Sequence, residues 1–158
     1  MIYTDKKGLP FEVKGFSPED LNRLMEMYSC FSPKGSFQGM PPCDGDACCR
    51  WVEALIERGE NLIAVQDEKV TGHAVLLPDS RLEDAEFLIF VSRAKRGRGM
   101  GSRLTGGALK LARKLEIKKI WLTVDAYNFR ATGLYRKYDF KFSEQCGSMT
   151  ERLMTLIL

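Results

Sequence analysis

The stretch "VSRAKRGRGMGSRL", residues 91–104, sets glycine at three alternate positions, Gly97, Gly99 and Gly101, among Arg93, Lys95, Arg96, Arg98 and Arg103. An apolar run precedes it, and Leu104, Ala108, Leu111 and Leu115 follow at helical spacing. This order suits the binding of an anion. The first turn of a helix leaves N–H groups unpaired, and its dipole favours negative charge there. Glycine removes the Cβ atoms that would hold a phosphate away from those groups. The dipole contributes about 0.3–1 kcal/mol. Each hydrogen bond to a charged group contributes about 1.5–3 kcal/mol. Several donors together with Arg96 or Arg98 therefore reach the roughly 8 kcal/mol that micromolar binding of a diphosphate requires. Two familiar nucleotide motifs do not fit. A dinucleotide fingerprint would need glycine where Ser102 stands, and a P-loop would end in Gly-Lys-Ser/Thr where the chain has Gly101-Ser102-Arg103.

Other residue types that could do chemistry are few. Glu83, Asp84 and Glu86 lie just before or on the apolar run "AEFLIFV" (85–91), where burial would raise a carboxylate toward useful basicity. His73 is the only histidine, and its "GHAV" setting reads as a satisfied, partly buried imidazole in a strand. Cys43, Cys48 and Cys49 have no second paired set and no histidine nearby, so no metal site is expected. Phe31, Phe37, Met40 and Trp51 could line an apolar pocket or pack helix ends.

The elements that must position these residues follow from patterning. "FEVKGF" (11–16) alternates weakly, as a short strand does. Ser17-Pro18-Glu19-Asp20 starts a helix near 18–29, with Leu21, Leu24, Met25 and Tyr28 on one face. Residues 31–46 are rich in turn formers and read as a loop. Asp46 is placed to cap a second helix, whose face holds Trp51, Leu55 and Ile56 and which Gly59 ends. "NLIAVQDEKVTGHAVLL" (61–77) reads as a hairpin about Asp67-Glu68-Lys69. "AEFLIFV" is too apolar to alternate and suits a strand covered on both faces. After the glycine stretch and its helix come the strand "KKIWLTV" (118–124), a helix started by Asn128 with Ala131, Leu134, Tyr135 and Tyr138 in one stripe, and two strands in "FKFSEQ" and "ERLMTLIL". Every proline lies at or before Pro78. The reading is one α+β domain over 1–158 with a central mixed sheet.

Composition narrows the class. Apolar residues make up 44% and charged residues 28%, and the net charge is +3, the positive charge gathering at the glycines instead of spreading over the chain. A nucleic-acid partner is not expected on that balance. Five cysteines, an odd count, suit free thiols in a reducing cytoplasm. The start "MIYTDKKGLP" has no apolar core of a signal peptide, and no apolar run is long enough to span a bilayer.

Arg96-x-x-Gly99-x-Gly101 resembles the acyl-coenzyme A signature, Gln/Arg-x-x-Gly-x-Gly/Ala, of the GNAT superfamily of N-acetyltransferases. "VDAYNFRATGLYRKYDF" (124–140) is similar to that superfamily's later motif: Asn128, Ala131, Leu134 and Tyr135 match, while Asp139 stands where glycine is usual before Phe140. Pro is common after the strand valine in the family, where Arg93 sits in this chain. The resemblance covers roughly residues 61–158. It implies a mostly antiparallel mixed sheet flanked by about four helices, with two strands splayed to admit the cofactor. It implies acetyl-CoA as co-substrate and an amine acceptor, such as a small amine, an amino acid or a peptide amine. It also implies site roles. Arg96, Gly97, Arg98, Gly99, Met100, Gly101 and Ser102 would cradle the pyrophosphate, and the backbone at Phe90 and Val91 would pair with the pantetheine arm. Asn128 would cap its helix, touch the cofactor, or do both. Tyr135 would donate a proton to the departing thiolate, and Glu86 is the first choice for the base. A non-catalytic domain that senses acyl-CoA would keep the same glycine turn, and a homodimer is compatible with the family.

Overall fold

A computed structural model describes residues 1–158 apart from 36–38, 82, 145–147 and 149. The chain runs β1 (Ile2–Thr4), β2 (Pro10–Gly15), a 3-10 turn (Pro18–Asp20), α1 (Leu21–Ser29), α2 (Gly45–Arg58), β3 (Glu60–Gln66), β4 (Lys69–Pro78) and β5 (Asp84–Val91). A second 3-10 turn (Arg93–Lys95) leads to α3 (Met100–Lys114), β6 (Lys119–Asp125), α4 (Phe129–Lys137), β7 (Lys141–Phe142) and β8 (Glu151–Ile157). The strands form one eight-stranded sheet in the order β1-β2-β3-β4-β5-β6-β8-β7. Every neighbouring pair is antiparallel except β5 with β6. Among the described residues, no helix is long and apolar enough to cross a membrane.

Local chemistry explains most boundaries. Ser17 donates from both its backbone N–H and its hydroxyl to Asp20 Oδ2, at 3.1 and 3.0 Å, and so starts the first helical segment. Burial pushes the Asp20 carboxyl up, but the Lys14 ammonium and the two Ser17 donors outweigh it and hold its pKa at about 2. α2 begins earlier than expected. Asp44, not Asp46, is its cap, with its side chain accepting from the Ala47 N–H at 2.8 Å, because Gly45 already takes helical geometry. Asp67 and Glu68 form the β3–β4 turn with φ of 54° and 62°. Both positive angles belong to the two-residue turns that match strand twist. The short β1 was not anticipated; only three residues long, it carries no readable period.

The sheet separates two cores. α3 and α4 cover one face, where Phe87, Met100, Leu104, Ile120, Leu122, Tyr135, Phe140 and Met154 pack together. α1 and α2 cover part of the other, over Leu24, Met27, Tyr28, Val52, Ile63 and Phe90. β5 supplies both: Ala85 and Phe87 point to the first core, Leu88 and Phe90 to the second. That division is why its sequence shows no alternation. His73 lies in the second core, fully buried, so its setting is drier than a partly buried reading allows. Tyr28 O–H donates to His73 Nδ1 at 2.7 Å, and His73 Nε2–H donates to Asn61 Oδ1 at 2.8 Å. Asn61 Nδ2 in turn caps the carbonyls of Leu55 and Gly59 at the end of α2. The network fixes the tautomer, and burial lowers the imidazole pKa to about 3.

Candidate active site

The parallel pairing of β5 with β6 covers only Asp84–Glu86, opposite Lys119–Trp121. Beyond Glu86 the two strands part and the sheet opens. The register with β4 has no bulge, and Ser92 N–H donates to Thr71 O at 2.9 Å. In such a ladder the N–H and C=O of alternate residues face one neighbour. The backbone groups of Leu88 and Phe90 therefore face β4, and those of Ile89 and Val91 face the opening. Arg96 Nε donates to Val91 O at 2.9 Å, which leaves Val91 N–H and both groups of Ile89 on a free edge. The expectation at Phe90 shifts by one residue for this reason. Phe90 lines the opening, but its ring belongs to an aromatic cluster with Tyr28, Phe31 and Trp51.

The opening is the mouth of a cleft of about 840 Å³. The glycine turn forms one end. Gly97 and Gly99 have φ of 78° and 101°, and a Cβ at either would meet nothing, so their need is conformational. A Cβ at Gly101 would lie 3.3 Å from Leu134 Cδ2, so this glycine lets α3 close on α4. α3 is capped by Gly99, and the first intrahelical bond runs from Arg103 N–H to Gly99 O at 3.2 Å. The N–H groups of Met100, Gly101 and Ser102 precede it and have no intrahelical acceptor. Arg96, Gly97, Arg98, Gly99, Gly101 and Ser102 all line the cleft. Met100 does not; its side chain is fully buried and its sulfur accepts from Thr71 Oγ1 at 3.3 Å. Only its backbone can serve a ligand. Arg96 is already engaged, because its Nη2 also donates to Ser32 O and its guanidinium lies 5.2 Å over the Phe31 ring.

Several cleft residues were not anticipated. Lys6, Thr4 and Phe11 reach it from β1, β2 and the turn between them, and Arg130 and Lys137 from α4. The last two stand inside the quoted later motif but match no fixed position of it. The first three lie some ninety residues before the glycines, and no local signal joins them. The β1–β2 turn is tied to the glycine turn by Lys6 N–H to Arg98 O at 3.0 Å and by Arg98 to Asp5 at 3.6 Å. Asp5 is buried and accepts from the backbone N–H groups of Lys7 and Leu9 at 2.8 and 3.0 Å. The Leu9 donor in particular holds its carboxyl below the usual range.

Tyr135 and Asn128 sit on the same cleft. Asn128 Oδ1 accepts from Ala131 N–H at 3.1 Å, so the residue is a helix cap at the rim. The Tyr135 ring packs edge-on against Phe87 and tilted on Phe140, with centroids 6.4 and 5.8 Å away. Burial raises its pKa well above that of free tyrosine, so it stays protonated at neutral pH. Among the described residues its hydroxyl has no hydrogen-bond partner, yet it is not sealed from solvent, which leaves it facing the cleft. Asp139 adopts φ of 67°, which explains why glycine is usual there. Glu86 is not brought to this group. It lines no part of the cleft, lies half-buried on the β5 face opposite Phe87, and has its carboxyl raised by burial against a smaller pull from Arg58. Glu83 and Asp84 pair with Lys118 and Lys119 at 3.0 and 3.1 Å. Phe31 and Met40 line the cleft, Trp51 packs in the second core, and Phe37 lies outside the described residues. Among the described residues, no three His, Cys, Asp or Glu side chains are gathered to hold a metal.

Known proteins share this architecture. The structure of the GNAT domain of S. lividans PAT superposes with a TM-score of 0.80 at 15% identity, covering 100% of this chain and 96% of that one. An acetyltransferase of the GNAT family from Streptococcus pneumoniae gives 0.76 at 18% identity over 94% and 99%. The structure of yncA from Salmonella typhimurium with its cofactor acetyl-CoA gives 0.74 at 18% identity over 94% of each chain. Likeness at such identities speaks for the fold. No curated sequence matches the chain significantly. The sequence model of the acetyltransferase (GNAT) family, however, matches residues 21–140, from the first helix through Phe140. With that match over most of its length, and with the glycine turn and the opened sheet in one cleft, the chain belongs to the GNAT acetyltransferase family.

Proposed function

We propose that the protein transfers an acetyl group from acetyl-CoA to a primary amine by direct attack in a ternary complex. The observation that carries this reading is the convergence on one cleft of three features. These are the unpaired N–H groups at the start of α3, the free backbone edge at Ile89 and Val91, and the Tyr135 hydroxyl. The N–H groups from Gly97 to Ser102, with Arg98, Arg103 and Lys6 around them, hold the diphosphate. Ile89 and Val91 pair with the amide groups of the pantetheine arm, as an added strand would. That places the thioester beside Tyr135. The amine nitrogen bonds to the thioester carbon, the carbon–sulfur bond breaks, and Tyr135 passes its proton to the sulfur. The proton lost by the amine passes to water, since Glu86 stands outside the cleft, and water returns one to the Tyr135 phenolate before the next turnover.

The test is release of free thiol from acetyl-CoA across a panel of amines, amino acids and peptides. Transfer to at least one amine is expected. Tight binding of acetyl-CoA without transfer to any amine would instead support the sensing reading.

A further inference from the structure

Part of the cleft wall is apolar: Phe31, Pro33, Met40, Pro41, Ile89 and Phe90 line it. The Arg96 guanidinium is held beside it, over Phe31 and tied to the carbonyls of Ser32 and Val91, with Arg130 near enough to Arg96 to disfavour its charge. No aspartate, glutamate or histidine lines the cleft anywhere among the described residues. The residues outside that description include no acid in the sequence. The nearest acid along β5 is Glu86, and Leu88 stands between it and Phe90 on the same strand face. The loop closes over Leu88 there, since a Cβ at Gly39 would sit 3.4 Å from it.

Lys6, Arg98, Arg103 and Lys137 stand at the glycine turn, where a diphosphate would neutralise them; Lys6 N–H donates to Arg98 O and Lys137 Nζ to Ser102 Oγ at 3.2 Å. Nothing comparable offsets positive charge beside Phe31 and Met40. A second ammonium on an acceptor would shed water there with no counter-ion and with Arg96 close by. An alkyl or aryl group would instead bury apolar surface against this wall. We infer that the acceptor is a monoamine carried on an apolar group, and that polyamines, aminoglycosides and lysine-rich peptides are rejected at this wall. The inference rests on the transferase reading for its chemistry, but the wall's preference is readable without turnover.

The experiment compares hexylamine with 1,6-diaminohexane, which are matched in length and differ by one charge. Thiol release should give hexylamine a kcat/KM at least fivefold higher. Calorimetric titration of both amines into the coenzyme A-bound protein should give at least the same ratio in affinity. A ratio below fivefold in the titration, or a preference for the diamine, overturns the inference, as does failure of both amines to bind. A titration ratio above fivefold with no thiol released by any amine would leave the wall's selectivity standing and remove the transferase reading instead. Met40→Glu, a change in a half-exposed loop position, places a carboxylate on the wall. It should lower the ratio at least fivefold relative to Met40→Gln, the uncharged change of similar size. An unchanged ratio in a folded Met40→Glu protein also overturns the assignment.

Discussion

The glycine turn is braced by side chains from three directions, whereas the apolar wall of the same cleft is in good part a loop fastened mainly through one arginine. Behind the turn, Asp5 joins Arg98, and Gln66 donates to Asp5 at 3.2 Å while accepting from Lys95 Nζ at 2.7 Å. The loop leading to α2 is tied by Arg96 to Ser32 O and by Gly35 N–H to Pro41 O at 3.1 Å. Its firmest backing is aromatic. The Tyr28 ring lies 5.9 Å from Phe31 and 5.7 Å from Phe90. Under the proposed function, the difference matches what each part would recognise. A diphosphate needs several N–H groups aimed at once, and fixing them beforehand avoids an ordering cost at binding. An apolar acceptor needs shape and dryness, which packed rings supply.

The comparison can be broken most directly at the turn. Gly101→Glu sets a carboxylate against the phosphate site and a Cβ against Leu134. Calorimetry should find acetyl-CoA affinity lower by at least 100-fold, and an affinity within threefold of the parent would remove the turn from the binding site. Tyr135→Phe should cut turnover by roughly tenfold, below the ~10²–10⁴ a general acid can supply, because a coenzyme A thiolate leaves readily. Its KM for acetyl-CoA should stay within about twofold, since a donor to the leaving group acts mainly in the transition state; a rise in KM alone would make Tyr135 a packing residue. Asp5→Asn keeps the shape of the brace but loses its charge toward Arg98. Acetyl-CoA affinity should fall several-fold with saturated turnover unchanged, and equal affinity would show that the turn holds itself.

The aromatic side is sharpened by pH. His73 is neutral in the fold, with its pKa lowered from 6.5 to about 3. Below pH 6.5 the unfolded chain binds a proton that the folded chain refuses, so stability falls as pH drops toward 3. Between pH 7 and 5 the loss is about 2 kcal/mol. Denaturant unfolding at the two pH values measures it. A His73→Gln protein that retains the same slope would show that this imidazole is not its source. Asp20 works at lower pH: its depressed carboxyl stabilises the fold above about 3.8 and loses that effect as pH falls through about 2.

Much of the site was legible because its signals are local. Three alternate glycines between an apolar strand and a helical stripe describe a turn that bares N–H groups at a helix start, whatever surrounds them. Asn128 three residues before Ala131 describes a cap, and Tyr135 falls on the buried stripe of α4 by spacing alone. Misplacements came where a local rule had two close solutions. Asp44 and Asp46 both precede an apolar periodicity, and Phe90 and Val91 differ only in which way a strand turns its backbone. Glu86 lies outside the cleft for a different reason, because a carboxylate on a buried strand signals burial but not which side of an opening it faces.

The order of strands, turns and helices, the bared N–H groups after Val91 and the place of Tyr135 on the α4 stripe are written within windows of a few residues, where backbone sterics and side-chain spacing act. The parting of β5 from β6 after Glu86, the reach of Lys6 and Asp5 to Arg98, and the gathering of Phe31, Met40 and Phe90 into an acid-free wall come from pairings across tens of residues. Those contacts leave no trace in local propensity. Their energy exists only once the sheet has closed its register and the two cores have chosen their faces.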